Sequence, residues 1–97
     1  MPRIRRLLAL ALKMEQMIQE GTVKNYSELA HLGQVSRARI TQVMNLLQLA
    51  PDIQEEILLG NTPEDRLRES AIRKLSGVVL WSEQRDRWHA LLRAASA

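Results

Sequence analysis

Residues 25–49, NYSELAHLGQVSRARITQVMNLLQL, constrain the fold more than any other stretch. They carry two helix starts within twelve residues. Asn25 can cap a first short helix, and Glu28 three positions later completes the capping-box spacing. Leu29 and Ala30 then face inward, the alanine small enough for a second helix to cross close by. Val35 is expected to close the turn from its apolar side, and Ser36 to cap the next helix. In that helix, about Arg37 to Gln48, Ile40, Val43 and Leu47 form a buried stripe at helical spacing, with Met44 beside it. Its outer face is left with Arg37, Arg39, Thr41, Gln42 and Asn45, and no acid stands among them.

The rest of the chain supplies helices to hold this pair. With 45% hydrophobic and 26% charged residues the 97-residue chain is globular, and its length suits one domain. It contains no Phe, one Tyr and two Trp, so the core falls to Leu, Ile, Val, Met and Ala. Only Gly77–Trp81 is strand-like, and one short run makes no sheet, so the expected fold is all-α, with five to six helices.

A first helix is expected from about Ile4 to Glu20. Leu7, Leu10, Ala11, Met14 and Ile18 lie on one face, and Gly21 stands where a left-handed C-cap belongs. Leu8, Leu12 and Met17 widen its apolar arc, either under the C-terminal helix or as a self-association surface. The second helix covers about Tyr26 to Leu32. Pro51 opens an acidic helix that ends at Gly60 and should brace the third helix from behind. Thr62, with Asp65, marks another start. That helix carries Leu67, Ala71, Ile72 and Leu75 to near Gly77. After an extended apolar connector, Val78 to Trp81, Ser82 is expected to cap a last helix with Trp88, Leu91 and Leu92 inward. Trp81 and Trp88 are read as core or dimer anchors, not base-stacking platforms.

Charge is unevenly spread. Residues 1–48 hold seven Lys and Arg against three Asp and Glu, whereas residues 49–97 hold seven against eight. The basic excess thus shares a half with the two-helix unit, as a polyanion-binding face requires. Ordinary surface variation would give the same imbalance as readily.

The outer side chains of the third helix suit groove edges: Arg can address guanine, and Gln or Asn adenine. The layout is that of a helix-turn-helix whose second helix enters a DNA major groove. Arg37, Arg39, Thr41, Gln42 and Asn45 are the expected base contacts. Arg5, Arg6, Lys24, Asn25, Ser27 and Ser36 flank them as expected phosphate contacts, helped by free N–H groups at a helix start.

The segment SELAHLGQVSRARITQVMNLLQLAPDIQEEIL resembles the DNA-binding domain of ParB/KorB-type partition proteins, which share an ELA…VSR…T…LL.L.P-I pattern. It is still more similar to the helix-turn-helix module at the C-terminus of some bacterial serine site-specific recombinases. There a helix like RRLLALALKMEQMIQEG comes first and a segment like LWSEQRDRW last. The resemblance covers about Ile4 to Trp88 and implies duplex DNA as partner, in regulation, recombination or partition. The recombinase catalytic domain has no counterpart here. One departure stands out: the family turn has Gly immediately before Val-Ser, and here that place is Gln34, after Gly33. Either Gln34 accepts a left-handed backbone at ~1 kcal/mol, or the turn shifts by one residue.

Other chemistry finds little footing. There is no Cys, and His31 and His89 stand apart from any ligand spacing, so no metal and no cofactor are expected. Ser70, Ser76 and Ser82 lack a nucleophile's setting and no Gly-rich phosphate loop occurs, so no catalytic residue and no enzymatic activity are expected. The run LLALAL is too short for a signal peptide and nothing reaches a membrane span, which points to the cytoplasm. A homodimer would pair half-sites about 34 Å apart. The competing expectation is a protein-docking module presenting the same basic helix to an acidic partner.

Overall fold

In the computed structural model, which describes residues 3–60 and 68–94, every regular element is a helix. The first, α1 (Arg3–Gln19), buries Ile4, Leu8, Ala11 and Met14. At 100° per residue these form one stripe, and Leu10 and Leu12 fall just beyond its two edges. Leu10 is therefore 48% exposed, against the inward position expected for it, while Leu8 is fully buried. Gly21 takes the left-handed φ of 78°. Thr22 N–H then bonds Met17 O at 2.9 Å and Gly21 N–H bonds Ile18 O at 3.1 Å. This is the Schellman closure that satisfies the last carbonyls of α1.

The next helix, α2 (Tyr26–Gly33), starts as its sequence dictates: Asn25 Oδ1 accepts from Glu28 N–H at 3.0 Å. The Glu28 carboxylate reaches back to the Lys24 N–H at 3.3 Å, one residue before the cap. At the far end Gln34 holds φ 54° and ψ 41°. Val35 N–H bonds Ala30 O and Gln34 N–H bonds His31 O, repeating the closure seen at Gly21. The turn thus does not shift by one residue, and Gln34 carries the left-handed position without a glycine. Val35 does not close the turn from inside; it is 44% exposed. Gln34→Gly should raise stability by about 1 kcal/mol, because the Cβ penalty of that backbone disappears. A thermal melt shifted upward by a few degrees is the expected reading, and an unchanged or lowered midpoint would show Gln34 to be unstrained.

Ser36 is extended and its Oγ accepts from Arg39 N–H at 3.1 Å, opening α3 (Arg37–Met44). This helix ends sooner than periodicity suggested. Asn45–Gln48 tighten into a 3-10 turn, after which Leu49 is extended and Ala50 is kept out of helical backbone by Pro51. A 3-10 turn aligns residues three apart, so Leu46 and Leu49 enter the core together and Leu47 is only half-buried.

Pro51 is the first residue of α4 (Pro51–Leu59). Ile53 and Ile57 of α4 join Ile4, Leu8, Leu46, Leu49, Ile72, Leu75 and Trp88 in one core cluster. Ile40 and Val43 of α3 belong to a second, with Ala11, Met14, Val23, Leu29, Ala30 and Met44. Leu7 and Leu47 touch both. Hence α4 packs on α1 and the 3-10 region rather than bracing α3 directly.

The expected helix start at Thr62, with Asp65 and Leu67, lies outside the described residues. Arg68 is extended and α5 (Glu69–Ser76) begins after it, burying Ile72 and Leu75. Of the connector, Val78 is half-buried, but Val79 and Leu80 are exposed. The last helix, α6 (Trp81–Ala94), begins two residues early: Leu80 O accepts the Gln84 N–H, and Ser82 sits inside the first turn instead of capping it. Trp88 fills the core and its indole N–H donates to Glu56 Oε2 at 2.6 Å. Trp81 stays at the surface with the Arg85 guanidinium 5.9 Å from its ring centroid.

Candidate nucleic-acid interface

The packing of Ile40, Val43 and Met44 fixes which side of α3 looks out. Arg37, Thr41 and Gln42 are exposed on it, and Asn45 continues the exposed row into the 3-10 turn. Thr41 Oγ1 donates to Arg37 O at 3.2 Å, which leaves its oxygen lone pairs and methyl outward. The Arg37 guanidinium has no ion-pair partner among the described residues.

Arg39 is differently placed. Its guanidinium makes a two-pronged pair with Glu69 of α5, Nη1 to Oε2 at 2.8 Å and Nη2 to Oε1 at 3.0 Å. Its Nη1 also donates to Gln42 Oε1 at 3.3 Å. The hydrogen bonds from Arg39 hold the Glu69 carboxyl below its ordinary range, and the same bonds raise Arg39. Two further guanidiniums approach that carboxylate, Arg73 Nε at 3.5 Å and Arg3 Nε at 3.6 Å. Arg39 is thus engaged inside the molecule, whereas the other four expected base contacts are exposed.

The expected phosphate contacts also divide. Lys24, Asn25, Ser27 and Ser36 are exposed within or next to the α2–turn–α3 unit, and Arg6 is exposed on α1. Asn25 and Ser36 spend one lone pair each as caps. Arg5 turns the other way: Nε donates to Ile57 O and Nη2 to Gly60 O at 2.8 Å, closing the C-terminal carbonyls of α4. An arginine that satisfies a helix end some fifty residues away looks in the sequence like any other basic residue.

Two features of this surface had little signal in the sequence. Glu69 and Arg73 sit four apart on α5, a spacing that suggests a pair, but nothing local ties Glu69 to Arg39, thirty residues earlier. A polar cleft of about 210 Å³ lies between Gln42, Asn45 and Gln48 on one side and Arg73, Ser76 and Gly77 on the other. It sets α5 beside the outer row of α3.

Elsewhere, His31 and His89 are exposed, and no group of three or more His, Asp or Glu that could hold a metal is assembled among the described residues. No helix among them is long and apolar enough to cross a membrane. Comparison with protein-family models, with curated proteins and with solved structures finds no match to this chain.

Proposed function

We propose that this chain binds double-stranded DNA sequence-specifically, with α2 and α3 acting as a helix-turn-helix and α3 lying in the major groove. The role that fits is a small regulator or an accessory factor in recombination or partition. The observation that carries the reading is the division of α3: Ile40, Val43 and Met44 are buried, while Arg37, Thr41 and Gln42 face outward and Asn45 follows them in the 3-10 turn. All four can meet base edges, and none repels a phosphate. Arg6, Lys24 and Ser27 are exposed and would supply the phosphate contacts in this reading.

The test is titration of labelled duplexes, random and selected, over a range of salt. Three to four neutralised phosphates should give a log affinity falling with log salt at a slope of about −3. Concentrated protein that leaves every duplex free at low salt would remove the reading. The second reading, docking on an acidic protein, is favoured by Leu32 and Val35, which stay 62% and 44% exposed beside the basic row. A docking surface would bind no duplex at low salt.

A further inference from the structure

Among the described acidic side chains, Glu69 faces three guanidiniums: Arg39 in a bidentate pair, with Arg73 and Arg3 at 3.5 and 3.6 Å. The carboxylate is 21% exposed and Arg39 28%, whereas Arg3 is 73% exposed. Charge-assisted bidentate pairing outranks the two longer approaches. Glu69 therefore neutralises Arg39 first and leaves the other two less occupied; Arg73 Nε is buried with no hydrogen bond.

A purely structural tie explains this poorly. Ile72 and Leu75 already bury α5 in the core, so the helix is held without a carboxylate at its first position. On a face that attracts polyanions, a carboxylate has a cost: it cancels one cation of the helix meant to enter the groove. It also reaches the row of base contacts. Arg39 Nη1 takes Gln42 Oε1, so the Gln42 NH2 group points away from Arg39, and the Glu69–Arg39 pair orients a side chain of that row.

Building on the duplex-binding reading, we propose that Glu69 is a specificity-determining residue of this surface. From α5 it withholds Arg39 from the phosphates, keeps sequence-independent attraction low, and leaves discrimination to Arg37, Thr41, Gln42 and Asn45. Sequence-independent affinity scales with the number of phosphates neutralised, so freeing one arginine has a defined signature.

Glu69→Gln should bind arbitrary duplex roughly threefold or more tighter at low salt, with a salt slope steeper by about 0.9. Its ratio of preferred to arbitrary affinity should fall. Glu69→Gln combined with Arg39→Gln should return the slope to the parent value. A folded Glu69→Gln with an unchanged or shallower slope overturns the proposal. Nitrogen-15 spectra of the arginine side chains in the parent give a check that needs no variant. On adding duplex the Arg37 signals should move and those of Arg39 stay; Arg39 moving as far as Arg37 also overturns it. If parent and Glu69→Gln both ignore duplex, the duplex-binding reading fails and takes this inference with it. If the parent binds and Glu69→Gln matches it, this inference fails alone.

Discussion

Gln84→Leu is expected to lower the melting temperature by roughly 15 °C or more, from a loss of about 3 kcal/mol. Gln84 is fully buried on α6. Its Oε1 accepts from Ala50 N–H at 2.6 Å, and its Nε2 donates to Gln48 O at 3.3 Å and Val78 O at 3.1 Å. These groups belong to irregular backbone: the end of the 3-10 turn, the residue before Pro51, and the connector after α5. No helix ladder can satisfy them. The Ala50 bond is buried and the other two are part-buried, and a buried group left without a partner costs about 1–3 kcal/mol. Leucine fills a similar volume, so the loss would come from hydrogen bonding rather than from a cavity. Gln54 offers a comparison, since its Nε2 donates to Leu47 O and Leu49 O from a half-buried position. Gln54→Leu should cost about 1 kcal/mol, because water can reach the freed carbonyls. Melts of the three proteins decide the matter. A Gln84→Leu midpoint within a few degrees of the parent would mean that water replaces the amide and that α6 is not pinned through this side chain.

The contrast between Asn25 and Gln84 explains how much the sequence could reveal. Asn25 caps Glu28, Ser36 caps Arg39, Gly21 closes α1 and Pro51 opens α4, each acting within five residues, so residue type and spacing suffice to place them. Periodicity likewise located the outward row of α3, because Ile40 and Val43 settle the rotation of that helix. Gln84, Arg5 and Arg39 each act on at least one partner 30 to 55 residues distant. In a sequence, a glutamine that ties three backbone segments is indistinguishable from one at the surface. An arginine closing a helix end is equally indistinguishable from one waiting for a phosphate. The half-burial of Leu47 has a different origin: the helical period carries it inward, but the 3-10 turn ahead of Pro51 gives the buried place to Leu46. The surface cluster around Glu69 is hidden for the first of these reasons, since it joins α1, α3 and α5.

Arg37→Glu should weaken duplex binding by about two orders of magnitude or more without weakening the fold. Arg37 opens α3 on the exposed side, with no ion-pair partner among the described residues. If it addresses a base, its removal alone costs about 1–3 kcal/mol, roughly 10- to 100-fold. The reversed charge adds repulsion from neighbouring phosphates, which grows as salt is lowered. Stability should hold or rise slightly, because a carboxylate in the first turn of a helix interacts favourably with the N-terminal dipole, by about 0.3–1 kcal/mol. A binding loss therefore cannot be blamed on unfolding, and a melt run beside the titration verifies this. Net charge is controlled by Arg93→Glu, an equal change near the end of α6, which should alter affinity no more than about threefold at moderate salt. Equal losses in the two variants would reduce the interaction to overall charge and leave α3 without a privileged role. A loss confined to Arg37→Glu, with preference among duplexes also relaxed by Arg37→Ala, would place the reading of bases at the start of α3.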